Sequence, residues 1–543
     1  MTEGAAPAPP SGENTDSVRR GLDRWLVAAV VATALIVLSL PLYLVRRGGA
    51  DPTAGGEAVA EFVGRDQCVS CHQAEVDAWS GSHHDMAMAV ASDSTVRGDF
   101  SGSTFTLNGD TTRFSRRDGG FFIETVSRTG ERAEYEVTHT FGWEPLQQYL
   151  IPFPGGRLQA FSVAWDTERN EWFFLYPGQD IPADDWLHWT RGAQNWNGMC
   201  AECHSTNLVK GYDPETRTFD TTWSEIDVSC EACHGPASLH VEWAEMPEMA
   251  RSPDPAYGLV IATGTQSPQE QVALCAPCHS RRAELGDYDH RSAVLMDNVV
   301  PRPLRDGLYH ADGQILEEVY VWGSFVQSKM YANDIRCADC HDVHSLERHA
   351  EGNALCAQCH RPDTYDSPDH HFHEAAEDGE PNPGAQCVNC HMVQKPFMVR
   401  DWRADHSLRV PRPDLTREIG TPNACSEAGC HADRSLDWVL GYYEAWYGAA
   451  RRPHYGQIFA WAREGRPDTG PMLMEMATDP LYPSIVRATA LEYLTAFPSD
   501  SATEVFRSAL QDEDPLIRFT ALASAGAGTP EQYVELVSPL LFD

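Results

Sequence analysis

The apolar positions of this chain follow three different rhythms, and each predicts a different kind of element. The first is unbroken. Leu26 to Val45 (LVAAVVATALIVLSLPLYLV) contains no charged residue, and a helix of that length reaches about 30 Å, the thickness of a bilayer core. Arg19, Arg20 and Arg24 precede it and Arg46 and Arg47 follow it. The run is longer than a signal-peptide core and no small-residue cleavage site follows closely. The pattern predicts a transmembrane signal anchor over 25–45, behind a polar, Pro/Gly/Ser-rich disordered cytoplasmic tail (1–24) and before a flexible linker (46–60).

The second rhythm alternates. Thr104–Leu107, Phe121–Val126 and Tyr135–Val137 switch between apolar and polar residues, with Asp118-Gly119-Gly120 and Thr129-Gly130 as turns. Leu158–Trp165 and Glu171–Tyr176 bracket Asp166–Asn170 in the same way. Residues 100–176 therefore read as a small antiparallel β insert. The third rhythm is helical and begins after residue 435, where Trp438, Leu440, Tyr443 and Trp446 form a stripe. Ile485–Leu491 (IVRATAL) then recurs as Leu516–Leu522 (LIRFTAL), 31 residues on, led in by Asp479-Pro480 and Asp514-Pro515. This period predicts HEAT-like helix pairs over 436–543. Leu510-Gln-Asp512 returns as Leu541-Phe-Asp543 at the end of the sequence, so the array is expected to be truncated, or to be continued by another protein.

Between about 200 and 431 no rhythm persists, and segments are short and rich in Pro and Gly. The cysteines explain why. Seven motifs read Cys-x-x-Cys-His: Cys68/Cys71/His72, Cys200/Cys203/His204, Cys230/Cys233/His234, Cys275/Cys278/His279, Cys337/Cys340/His341, Cys356/Cys359/His360 and Cys387/Cys390/His391. An eighth, Cys425/Cys430/His431, has two extra residues between its cysteines. Together they use all 16 Cys of the chain. A random arrangement of 16 Cys and 22 His among 543 residues gives roughly 0.02 such motifs. The spacing suits c-type haem attachment, in which two thiols add to the vinyl groups of one porphyrin and the adjacent His binds its iron. Zinc sites would group the thiolates in fours. A thioredoxin-like pair would occur once, without a following His. For the stretched pair the competing reading is a disulfide loop. Eight covalent haems, stacked closely, are expected to form the core that residues 61–435 otherwise lack, with loops and short α-helices wrapped on them.

Charge narrows the partners. With 79 Asp+Glu against 41 Lys+Arg, the net charge is −38, which excludes a nucleic-acid surface and favours a redox partner with a basic docking patch. Because c-type haems are attached outside the cytoplasmic membrane, the bulk of the chain is expected on the periplasmic side of a single-pass anchor.

Eight motif histidines leave fourteen others of the 22. His83/His84, His344 and His370/His371/His373 cluster beside the motifs. Gly64…Cys68-Val-Ser-Cys-His72…Trp79-Ser-Gly-Ser-His-His84 resembles the opening of multihaem cytochromes related to the tetrahaem cytochromes of ammonia oxidisers and to hydroxylamine oxidoreductase. Four further stretches resemble a family of bacterial multihaem (octahaem) cytochromes with C-terminal TPR or HEAT repeats: Pro145–Tyr149 with Phe153–Arg157, Asn195–Thr206, Tyr309–Gln314 with Ser324–Ser328, and Asp405–Leu415. The resemblance runs from about 60 to 540. It implies distal iron ligands at His84, His188, His240, His310, His344, His406 and one or two of His370, His371 and His373, with His371 and His373 the expected pair. His139 stands where the family usually has Tyr, and the Cys425–Cys430 spacing departs from the family pattern.

His/His ligation gives low-potential, low-spin iron suited to electron transfer. The expected function is a membrane-anchored octahaem conduit that moves electrons between a quinol-linked or soluble cytochrome donor and a periplasmic or extracellular acceptor, with protein docking on the C-terminal repeats. The alternative is an oxidoreductase acting on a small nitrogen or sulfur compound at one open-faced haem. A scaffold with structural haems is a third reading, for which eight cofactors are excessive.

Overall fold

The computed structural model describes residues 59–524 apart from 128, 378, 427 and 428, together with 534, 537 and 538. The expected tail, anchor and nearly all of the linker lie outside the described residues, as does Leu541–Asp543. No helix among the described residues is long and apolar enough to cross a membrane.

The described residues from Glu61 onward form one compact unit. It begins with the first motif and leads into two antiparallel sheets. In the four-stranded sheet, β2 (Thr104–Leu107), β3 (Asp110–Arg117), β4 (Gly120–Val126) and β5 (Arg132–Val137) pair in sequence order. Asn108-Gly109 and Asp118-Gly119 turn with positive φ at both residues, the conformation tight hairpins require. The six-stranded sheet runs β1 (Met88–Val90), β6 (His139–Phe141), β7 (Leu146–Phe153), β9 (Val163–Asp166), β10 (Glu171–Phe174), with β8 (Arg157–Ala160) beside β7. An aromatic core fills the space between the sheets, with Phe114 stacked on Trp172 at 3.5 Å.

The alternation at 104–107 and 120–126 marked real strands; two differences have physical causes. Leu158–Trp165 is two strands, divided at Phe161-Ser162. Strand β7 carried no alternation because its first six residues are buried. Its polar members are satisfied internally: Gln147 accepts from the Arg97 N–H (2.8 Å) and donates to the Thr95 carbonyl (2.9 Å).

Helix α1 (Pro268–His279) opens with a Ser267/Glu270 capping box and ends in the fourth motif. After residue 412 come α2 (Pro413–Ile419), α3 (Leu436–Tyr447), α4 (Tyr455–Arg463), α5 (Thr469–Thr478), α6 (Ser484–Leu494), α7 (Asp500–Ala509) and α8 (Pro515–Ser524). The 31-residue recurrence falls on α6 and α8. These two pack together, as do α5 and α7. Equivalent buried threonines bond back one turn, Thr489 to the Ile485 carbonyl and Thr520 to that of Leu516. The expected boundary at 435/436 is not a boundary in the packing. Leu304, Tyr309, Ile315 and Phe325 share one core with α4–α8, and the Leu304 N–H donates to Thr489 Oγ1 (2.9 Å).

The segment 329–384 behaves differently. None of its described residues is buried, yet it holds two motifs and a third begins at Cys387. Ordering such a length of chain costs conformational entropy that its own side chains do not offset.

Candidate functional site

Each motif occupies about one helical turn. The N–H of the motif His donates to the carbonyl of the first Cys at His72 (2.9 Å), His341 (3.0 Å) and His360 (2.9 Å). The stretched motif closes the same way: the His431 N–H reaches the Cys425 carbonyl at 3.0 Å. The first cysteine and the histidine thus keep their mutual placement. All sixteen cysteines are free, so the Cys425–Cys430 disulfide reading is not realised.

Opposite the motif histidines stand other histidines. Ring centres are 6.0 Å apart for His72 and His240, 6.3 Å for His279 and His84, 6.2 Å for His391 and His370, and 6.2 Å for His431 and His373. Two imidazoles bound to opposite sides of one metal, each through a bond of about 2 Å, have centres about 6 Å apart. These separations therefore fit an iron between each pair. His344 is the histidine whose charge acts most strongly on His234, and His341 holds that position for His406.

The outer nitrogens are engaged as iron ligands require. Nδ1 pairs with a backbone carbonyl at His204 (Ala87, 3.1 Å), His391 (Arg409, 2.8 Å), His240 (Tyr257, 2.7 Å) and His406 (Ala404, 2.9 Å). That leaves Nε2 for the metal. Burial lowers the pKa of His84, His234 and His279 to about 4, which keeps each ring in the neutral form that binds iron. Among the described residues, no three His, Cys, Asp or Glu side chains converge as a cage for a metal ion. A porphyrin needs none, because it supplies four of the six iron ligands itself.

The motifs also lie against one another. The thiols of Cys68 and Cys230 are side by side, as are Cys203 and Cys278, Cys275 and Cys337, and Cys356 and Cys387. Cys340 feels Cys356 and Cys359, Cys390 feels Cys430, and Cys233 acts on Cys275 and Cys278. Numbering the motifs along the chain, the order of neighbours runs 1–3–4–5–6–7–8, with motif 2 beside motif 4.

Glu231, inside the third motif and 1% exposed, fastens motif 1 to motif 3. Its carboxylate accepts from the backbone N–H groups of Val63 (3.0 Å), Gly64 (2.8 Å) and Ala237 (2.9 Å). Arg65 adds an ion pair to Asp227 at 2.8 Å. Sequence reasoning passed over Glu231, because a motif interior position gives no sign of its burial.

Other expected ligands are placed differently. Among the described ring contacts none brings His188 or His310 to a motif histidine. His188 Nδ1 is 2.9 Å from Thr190 Oγ1, and His310 Nε2 is 3.3 Å from the Lys395 ammonium. Of the three clustered histidines, His370 and His373 are the two whose rings lie opposite motif histidines. His371 braces the turn instead, with its Nδ1 accepting from the His373 N–H (3.3 Å) and its Nε2 4.0 Å from Asp366.

The family model described as "Cytochrome c554 and c-prime" matches residues 188–235, a stretch that contains the second and third motifs. Over that stretch the chain is similar to the cytochromes c554. A solved structure described as "Crystal Structure of Outer Cell Wall Cytochrome OcwA" aligns with a TM-score of 0.48 and 17% identity, over 88% of this chain and 98% of that chain. No curated protein matches.

Proposed function

We propose that this chain is a membrane-anchored, eight-haem electron conduit of the periplasmic space. The observation that carries the reading is the close succession of motifs 1, 3, 4, 5, 6, 7 and 8, each within reach of the next one's cysteine charge. When bound, haem irons exchange single electrons without bond rearrangement. The chain's own residues do the rest. The sixteen cysteines fix eight attachment points, and the motif histidines present one ligand at each. His84, His240, His370 and His373 complete four sites, with His344 and His406 serving motifs 3 and 5. Cys71 and Cys430, at the two ends of the series, are exposed, as is Cys359 of motif 6, which offers motifs 1, 6 and 8 for exchange with partners. Donor and acceptor are redox proteins, steered by the acidic surface. The stacked helix pairs α5/α6 and α7/α8, read as HEAT-like repeats, offer a docking face for another protein.

The test is a haem count and a spin-state inventory. A pyridine haemochrome assay on protein matured in a competent host is expected to give eight haems per chain, and electron paramagnetic resonance to show predominantly low-spin iron. His406→Ala is expected to convert one haem to high spin and leave the others. A count well below eight, or no spectral change in His406→Ala, sinks the assignment.

A second reading attaches to motif 2, the side branch. His204 has Phe141 edge-on at 5.6 Å, and Tyr176 and Tyr320 lie within reach of the charge on Cys200. An open iron face there would suit a small nitrogen or sulfur compound. A high-spin signal in the wild type that nitrite or hydroxylamine perturbs would favour this reading over the conduit.

A further inference from the structure

His370 and His373 serve different motifs although only two residues separate them. In a continued helix, positions i and i+3 share a face, so both rings would point at one iron. The short helix Pro368–His371 instead stops at Phe372, which takes a left-handed conformation (φ 58°, ψ 29°) while its N–H still bonds the Pro368 carbonyl at 3.0 Å. Glycine and asparagine normally fill such a position, because a Cβ crowds the following carbonyl there.

The last turn of α3 holds this step. The Trp446 ring lies flat on Phe372, centres 4.4 Å apart and planes within 1°. Tyr447 meets the same ring edge-on at 5.6 Å, and its hydroxyl donates to the His370 carbonyl at 2.5 Å. At the start of the same helix, Trp438 sits 5.0 Å from His431. One helix thus touches the residue between the two distal ligands, the backbone of one of them, and the proximal ligand of motif 8.

We propose that Trp446 and Tyr447 are positioning residues that hold Phe372 in its left-handed step, and so deliver His370 to motif 7 and His373 to motif 8. The proposal rests on the bis-His haem reading above. The aromatic end of α3, on this account, is part of the haem apparatus.

The experiment uses the full-length, haem-loaded protein and reads spin state by electron paramagnetic resonance, with the haem-to-protein ratio as control. Phe372→Gly, which takes the left-handed conformation freely, is expected to keep the wild-type low-spin signals. Phe372→Ile, whose branched Cβ resists it, is expected to give a high-spin signal worth one or two haems at an unchanged haem ratio. Trp446→Ala should behave as Phe372→Ile does, and adding Phe372→Gly to it should restore low-spin iron. Identical spectra for Phe372→Gly and Phe372→Ile overturn the proposal, as does a Trp446→Ala high-spin signal that Phe372→Gly leaves in place. A merely structural role for Trp446 would lower thermal stability with no change of spin state. Should the wild type itself lack low-spin iron, the bis-His reading has failed, which is a distinct result.

Discussion

At the scale of single residues, the chemistry depends on keeping histidines neutral and carboxylates satisfied. The pKa values of His84, His234 and His279 are lowered by burial to about 4, whereas an unfolded chain protonates them near 6.5. Burial alone therefore contributes stability that is fully present above pH 6.5 and is lost as pH falls through about 4, and protonation competes with iron for the same nitrogens in the same direction. Chemical-denaturation midpoints measured between pH 7 and 4 should fall steadily; a flat profile would contradict the burial. Glu231 gives a second prediction. Glu231→Ala leaves the N–H groups of Val63, Gly64 and Ala237 without their acceptor and should cost about 3 kcal/mol, read from urea unfolding. Neither effect could be anticipated from sequence. A histidine looks the same whether buried or exposed, and Glu231 is simply one of the variable positions inside a motif.

At the scale of elements, recurrence in sequence became recurrence in packing. Arg487 and Arg518 stand 31 residues apart, and both reach Asp512: Arg487 pairs with its carboxylate at 2.5 Å and Arg518 donates to its carbonyl at 2.8 Å. Leu491 is fully buried where α6 meets its neighbours. Leu491→Ala is expected to cost 2–5, or about 3, kcal/mol, measured as a lowered unfolding midpoint. The stripe read in α3 was partly displaced. Val439, Leu440 and Tyr443 are the buried residues, whereas Trp438 and Trp446 turn toward His431 and Phe372. Periodicity finds the face that enters an ordinary core. It does not distinguish aromatic rings that pack on histidine and phenylalanine outside that core, since both uses select large apolar residues.

At the scale of the whole molecule, two features act together: a continuous series of attachment points and a strongly acidic exterior, −38 by sequence. Electron exchange with a basic partner protein should slow as ionic strength rises, because screening shortens the reach of the charge to about 8 Å at physiological salt. Stopped-flow rates that do not change between low and high salt would show that the acidity has no part in docking. The order of the motifs could not be read from the chain. Motif 3, not motif 2, adjoins motif 1, because Glu231 and Arg65 bind the start of the unit to the third motif.

The sequence by itself determined where the cysteine–histidine signatures stand and which class of cofactor they suit. Each Cys-x-x-Cys-His signature is completed within about one helical turn, so local spacing is sufficient; even the stretched copy brings His431 back to the Cys425 carbonyl. Only the tertiary structure decided which histidine faces which motif, and which motif follows which. His240 stands far along the chain from His72, and His370 and His373 separate through one left-handed residue held by a distant helix. Such pairings arise from long-range packing, for which spacing along the chain carries no signal.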